Sequence, residues 1–174
     1  MSDPARAYQQ IALDLALAEA SSQERLSLHV SGHSMAPLLR PGDVVVAQPV
    51  SPDSLRQGDL VVVHRPTELI THRLVAVDEQ GWHTKGDNCH QADAPIRTLA
   101  ILGRVVTVER GCARLDLTSP RWARVNCWLG RLGGWEARLA RQIVARKAAR
   151  PADRLVAVLF RALTRLVLFV PLRG

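Results

Sequence analysis

The spacing of hydrophobic and polar residues changes near residue 25. Over residues 4–24 apolar side chains recur every three or four positions, and Pro4 suits the first turn of a helix. From Leu26 to Val30 apolar and polar side chains alternate, which is typical of a strand. The pattern therefore predicts an N-terminal helix within residues 1–24 and the start of a β domain after it.

Further short runs of β-branched residues follow, each beside turn-forming residues. They occupy residues 44–46, 60–63, 69–77 and 102–108. Gly-Asp pairs precede the first two runs, and we interpret Asp43 and Asp59 as turn residues. Short runs at this spacing predict a mainly β domain over residues 25–118 rather than alternating strands and helices.

From residue 119 onward Arg, Ala, Leu and Trp dominate, which predicts a helical tail over residues 119–174. The tail carries a net charge of +10 in a chain whose formal net charge is +7, so the remainder is mildly acidic. Between residues 153 and 169 a helical wheel places Arg154, Arg161 and Arg165 on one narrow stripe, and the rest is almost entirely apolar. We predict that these arginines contact a membrane.

The sequence is compatible with three roles for this basic tail. It could lie on an anionic bilayer, bind nucleic acid, or pack on the β domain with its arginines in water. A membrane surface is favoured over nucleic acid because no known nucleic-acid motif is present. No uncharged apolar run reaches about 18 residues, so the sequence predicts a peripheral membrane protein or a cytoplasmic one. Trp122, Trp128 and Trp135 are candidate core or interface anchors.

Cysteine and histidine usage gives no sign of a disulfide framework or a metal site. The cysteine count is three, and the N-terminus lacks the apolar core of a secretory signal. His83, Cys89 and His90 with Asp87 match no common zinc spacing. The sequence therefore predicts neither a metal nor a cofactor.

The most informative segment covers residues 31–46. Ser34-Met35-Ala36-Pro37 is followed by Gly42-Asp43 and three valines. A strand before this segment and a turn opening at Pro37 would hold Ser34 at the lip of a sheet. A serine hydroxyl becomes a good nucleophile only when a base removes its proton. Ser34 therefore needs a partner elsewhere in the chain.

Two later segments offer that base and a carboxylate. His72 lies in a predicted strand, and an imidazole with the reference pKa of about 6.5 is neutral near pH 7 without burial. No lysine precedes Lys85, which supports a histidine as the base. A base histidine works best when a carboxylate holds its tautomer. Asp93 is the first candidate for that role and Asp87 the second.

Together these segments resemble, in their order along the chain, the characteristic segments of the signal peptidase I family and of the related self-cleaving repressors. His72 stands where most bacterial signal peptidases have lysine, which is similar to the histidine-base branch of archaea and the endoplasmic reticulum. Small bacterial signal-peptidase-like proteins that lack the N-terminal anchor are also similar. The resemblance implies a coiled β fold and a serine endopeptidase that cleaves extended peptides between small residues, as in signal- or leader-peptide processing. It also implies an oxyanion and substrate site at Gly32, Ser34 and Met35.

Two other functions are compatible with the same segments. A self-cleaving switch would need a scissile pair such as Ala-Gly, yet no glycine precedes Gly32. A non-catalytic β module would hold an extended peptide in the same groove without turnover.

Overall fold

The computed structural model describes residues 25–145, together with Val158 and Ala162. Its regular elements comprise the strands β1 (Leu26–His29), β2 (Val44–Gln48), β3 (Leu60–Arg65), β4 (Glu68–Asp78), β5 (Gly81–Lys85), β6 (Ile101–Arg110) and β7 (Ala113–Asp116), and the helix α1 (Pro120–Ala145). Two 3-10 turns, Pro52–Ser54 and Thr98–Ala100, lie before β3 and β6.

Two predictions concern the ends of the chain. The helix predicted within residues 1–24, and the predicted membrane contacts Arg154, Arg161 and Arg165, lie outside the described residues. Within the described part of the chain, no helix combines the length and apolar character needed to cross a bilayer.

The strands form one sheet in which every neighbouring pair is antiparallel. The order is β1-β2-β6-β3-β4-β5, and β7 pairs with β6 as well. Irregular register in three pairings, for example between Val46 and Ala47, lets the sheet bend around its own core. The prediction of a mainly β fold is confirmed.

The centre of the sheet is buried on both faces. Leu60, Val61, Val62 and Val63 of β3 are each at most 1% exposed. Because neighbouring side chains on a strand point to opposite faces, Leu60 and Val62 join one hydrophobic core and Val61 and Val63 join another. This accounts for an uninterrupted apolar run in place of an alternating one.

Helix α1 packs against the sheet at β4. Trp122 and Leu129 on its inner side belong to the larger core. The helix backbone approaches Gly58, where a Cβ atom would lie 2.3 Å from the carbonyl oxygen of Asn126. Gly58 also has a φ of +106°, so both its conformation and its surroundings favour glycine. The helix thus lies close to the turn before β3, and its packing against β4 brings it to the strand that carries His72.

Candidate active site

The loop that carries Ser34 is a tight turn after β1. The amide of Ala36 donates to the carbonyl of His33, and the amide of Leu39 donates to that of Met35. A second loop holds it in place, because the Asn88 amide donates to the Ser34 carbonyl over 2.7 Å. A Cβ atom at Gly86 would lie 2.6 Å from that carbonyl oxygen. Glycine at position 86 therefore permits the two loops to meet.

His72 presents its ring to this loop from the middle of β4. Its position in the sheet is set by pairing opposite Val61 of β3, and the residue is 7% exposed. The Nε2 atom lies 3.0 Å from the Ser34 hydroxyl oxygen. The two residues are 38 positions apart in the chain, and the sheet brings them within hydrogen-bond distance.

Asp93 lies behind the imidazole, on the irregular segment that follows β5. Its Oδ2 atom is 2.6 Å from Nδ1 of His72. Two residues that the sequence did not single out complete its surroundings: the Thr84 hydroxyl donates to Oδ2 over 2.6 Å, and a guanidinium nitrogen of Arg65 lies 2.8 Å from Oδ1. Both carboxylate oxygens therefore have donors.

These donors keep Asp93 charged. Burial by itself would raise the pKa of the carboxyl group, but the hydrogen bonds from His72 and Thr84, with the charge of His72 and the bond from Arg65, lower the pKa from 3.8 to about 2. An ionised carboxylate can only accept a hydrogen bond, so Nδ1 of His72 must carry the proton. In the neutral ring, Nε2 is then free to accept the proton of Ser34.

Asp87, the second candidate for orienting His72, has a different partner. Its two oxygens accept from Nε and Nη2 of Arg73 at 2.8 and 2.7 Å, in a two-pronged pairing. Arg73 is fully buried and also donates to the Gly58 carbonyl and to the Asn126 side chain. Asp87 is therefore connected through Arg73 to Asn126 of α1, whereas Asp93 lies beside the imidazole of His72. The neighbouring Asn88 amide, which donates to the Ser34 carbonyl, connects the loop that carries Asp87 to the Ser34 turn.

A cleft of about 240 Å³ opens beside Ser34. It lies between residues 28–35 and residues 68–71, and Gly32, Ser34 and Met35 line it. Met35 is buried, and its sulfur accepts from the Asp87 amide at 3.4 Å, which fixes the cleft wall to the neighbouring loop. The other lining side chains are divided nearly evenly between apolar and polar ones.

The low pKa of Asp93 predicts a particular dependence of stability on pH. Because the folded pKa lies below the unfolded one, the ionised form favours the fold, and this contribution is complete above the ordinary value of 3.8 and is lost as the pH falls through about 2. We expect native protein to lose about 2 kcal/mol of unfolding free energy over this range on account of Asp93. Asp93→Asn should lack this part of the loss, as measured by urea unfolding at a series of pH values.

Asp53→Asn is the matched control, since Asp53 is an exposed carboxylate in the first 3-10 turn. It should follow the native pH dependence. Equal pH dependence in native protein and Asp93→Asn would contradict the environment described for Asp93.

Comparison with known proteins yields one family. A family model described as Peptidase S24-like matches residues 3–106, which is more than half of the chain. The match covers the Ser34 turn, His72 and Asp93 together. No curated protein matches the chain.

Proposed function

Because the chain belongs to the Peptidase S24-like family, we propose that it is a serine endopeptidase in which Ser34 is the nucleophile and His72 the general base. The observation that supports this best is the unbroken chain of contacts from the Ser34 hydroxyl to His72 and on to Asp93, at 3.0 and 2.6 Å. This is the arrangement of nucleophile, base and orienting carboxylate that activates a serine.

The reaction follows from the protonation states. His72 Nε2 takes the Ser34 proton as Oγ attacks the peptide carbonyl carbon, and Asp93 stabilises the imidazolium that forms. The imidazolium then gives its proton to the leaving amine, and an acyl group remains on Ser34. Water, deprotonated by His72 in turn, releases that group and restores the hydroxyl. The Ser34 amide is the proposed oxyanion donor.

Two open strand edges at the cleft suit an extended peptide. In the described residues β1 pairs with β2 alone. Residues 68–71 of β4 pair with β3 on one side, while the pairing of β4 with β5 begins only at Arg73. Both edges border the cleft. A peptide could add a strand here and present its backbone to Ser34.

The substrate that we propose is a precursor segment with small residues on both sides of the scissile bond, as in signal- or leader-peptide processing. Self-cleavage is the second candidate, because the segments around Ser34 and His72, which the family match covers, also resemble those of self-cleaving repressors. The absence of glycine in residues 1–31 counts against the usual Ala-Gly site.

Extended synthetic peptides test the proposal directly. Peptides carrying a central pair of small residues should be cut at that pair, with the bond identified by mass spectrometry. Matched peptides with bulky aromatic residues at the pair should be cut far more slowly, because the cleft beside Ser34 is small. The intact mass of the protein is followed in the same samples at mildly alkaline pH.

Two results would count against the endopeptidase proposal. Fragments of the protein itself, without peptide cleavage, would favour the self-cleaving switch. Peptide binding without any turnover would favour a non-catalytic module that binds peptides in the same cleft.

A further inference from the structure

The outer face of α1 carries a regular series of arginine and tryptophan side chains. These five residues, all exposed and three or four positions apart, form what we call the Arg/Trp stripe: Arg124, Trp128, Arg131, Trp135 and Arg138. Trp128 is 61% and Trp135 65% exposed, and neighbouring Leu139 is 38% exposed. Since a helix rises about 1.5 Å per residue, the two indoles lie about 10 Å apart along its axis.

The opposite face of α1 is fixed to the sheet. Glu136 is buried and its Oε2 lies 2.7 Å from the buried Lys85 ammonium, while Asn126 accepts from Arg73. Trp122 and Leu129 belong to the hydrophobic core. The helix therefore cannot rotate to bury Trp128 and Trp135 without breaking these contacts. The Arg/Trp stripe therefore stays on the exposed face of α1.

The charges on α1 point to an anionic partner. Helix α1 (Pro120–Ala145) contains one acidic residue, Glu136. The charge of Glu136 is balanced by the buried Lys85 ammonium. The outward face therefore presents arginines with no carboxylate of α1 among them. Beyond residue 145 the sequence continues with more Arg, Lys, Leu and Val. The excess positive charge thus extends past the stripe.

We propose that the Arg/Trp stripe docks α1 onto the surface of an anionic lipid bilayer. Indole rings favour the boundary between headgroups and acyl chains, and arginines beside them attract anionic headgroups. A helix lying in the plane of the interface uses such a face. Single-stranded nucleic acid would instead need a basic groove with stacking platforms, whereas the stripe is the convex side of one helix. The proposal does not depend on the peptidase activity.

Vesicle binding by the full chain tests the stripe. Native protein should co-sediment with phosphatidylcholine vesicles that contain phosphatidylglycerol, and less with phosphatidylcholine alone or at high salt. Arg131→Glu/Arg138→Glu should weaken binding by at least about tenfold, since each basic residue near the surface contributes to attraction. The matched control is Arg97→Glu/Arg114→Glu, which changes the net charge equally at exposed sites outside α1. The control should bind as native protein does.

Tryptophan fluorescence provides a second measurement. On adding anionic vesicles, native emission should shift to shorter wavelength, and Trp128→Ala/Trp135→Ala should lose both the shift and most of the binding. Val77→Ala/Leu99→Ala, at apolar side chains that are 62% and 93% exposed, is the control and should keep both.

Three results would overturn the proposal. One is undiminished vesicle binding by the stripe variants, which would assign binding to residues outside the stripe. Another is a native spectrum that lipid does not alter. The third is binding of a single-stranded oligonucleotide in place of vesicles.

Discussion

Replacing Ser34 with alanine is expected to lower peptide cleavage by about 10⁴- to 10⁶-fold, since removal of a serine peptidase's nucleophile costs up to about 10⁶-fold in kcat. The alanine removes the single oxygen that His72 Nε2 contacts at 3.0 Å, so no acyl-enzyme can form. Peptide binding should persist, since the other residues that line the cleft are unchanged. The measurements are kcat/KM for a small-residue peptide and the Kd of the same peptide.

Ser51→Ala is the matched control for this change. Ser51 is exposed, precedes the first 3-10 turn, and makes no side-chain capping bond there. This variant should cleave at the native rate. Native turnover by Ser34→Ala would instead remove Ser34 from the reaction, and with it the proposed mechanism.

Replacing His72 with alanine should cost about as much, roughly 10⁴-fold or more in kcat, because base and nucleophile act as a unit. The loss should leave KM nearly unchanged, since the ring lies beside the cleft and is not among the residues that line it. Adding Ser34→Ala to the His72→Ala variant should have little further effect, because either change alone already disables the unit. Free imidazole in the buffer should restore part of the activity if the ring acts as a base and not as a structural support.

His64 offers the comparison, since it is a half-buried histidine on the neighbouring strand β3. His64→Ala should keep its activity. The assignment of His72 as base would be untenable if both histidine variants were equally active, or if the two changes at Ser34 and His72 multiplied as independent effects do.

Alternation and apolar runs along the sequence predicted five of the strands close to their observed positions. The alternating segment Leu26–Val30 corresponds to β1, and the continuous run Leu60–Val63 begins β3. β5 and β7 carried no such signal. Residues 81–85 mix Trp, His, Thr and Lys, and β7 is short and largely exposed, so pairing with longer neighbours determines them more than their own pattern.

The sequence predicted those residues of the candidate site that lie within recognisable motifs. Ser34 and His72 each lie in a recognisable segment. The sequence ranked Asp93 before Asp87, and the structure shows Asp93 beside the imidazole and Asp87 beside Arg73. Arg65 and Thr84 illustrate the limit. Their bonds to Asp93 join β3, β5 and a loop, and no local spacing of residues encodes a contact between separate elements.

The adjacency of His72 and Arg73 has a consequence for how the molecule assembles. Neighbouring residues of a strand face opposite sides, so His72 contacts Ser34 while Arg73 donates to Asp87 and Asn126. A slip of β4 by a single position would exchange the two faces and put a guanidinium where the imidazole belongs. Misaligned chains would therefore lack both the proposed proton acceptor of Ser34 and the anchorage of α1. We therefore expect peptide cleavage to appear only when folding is complete.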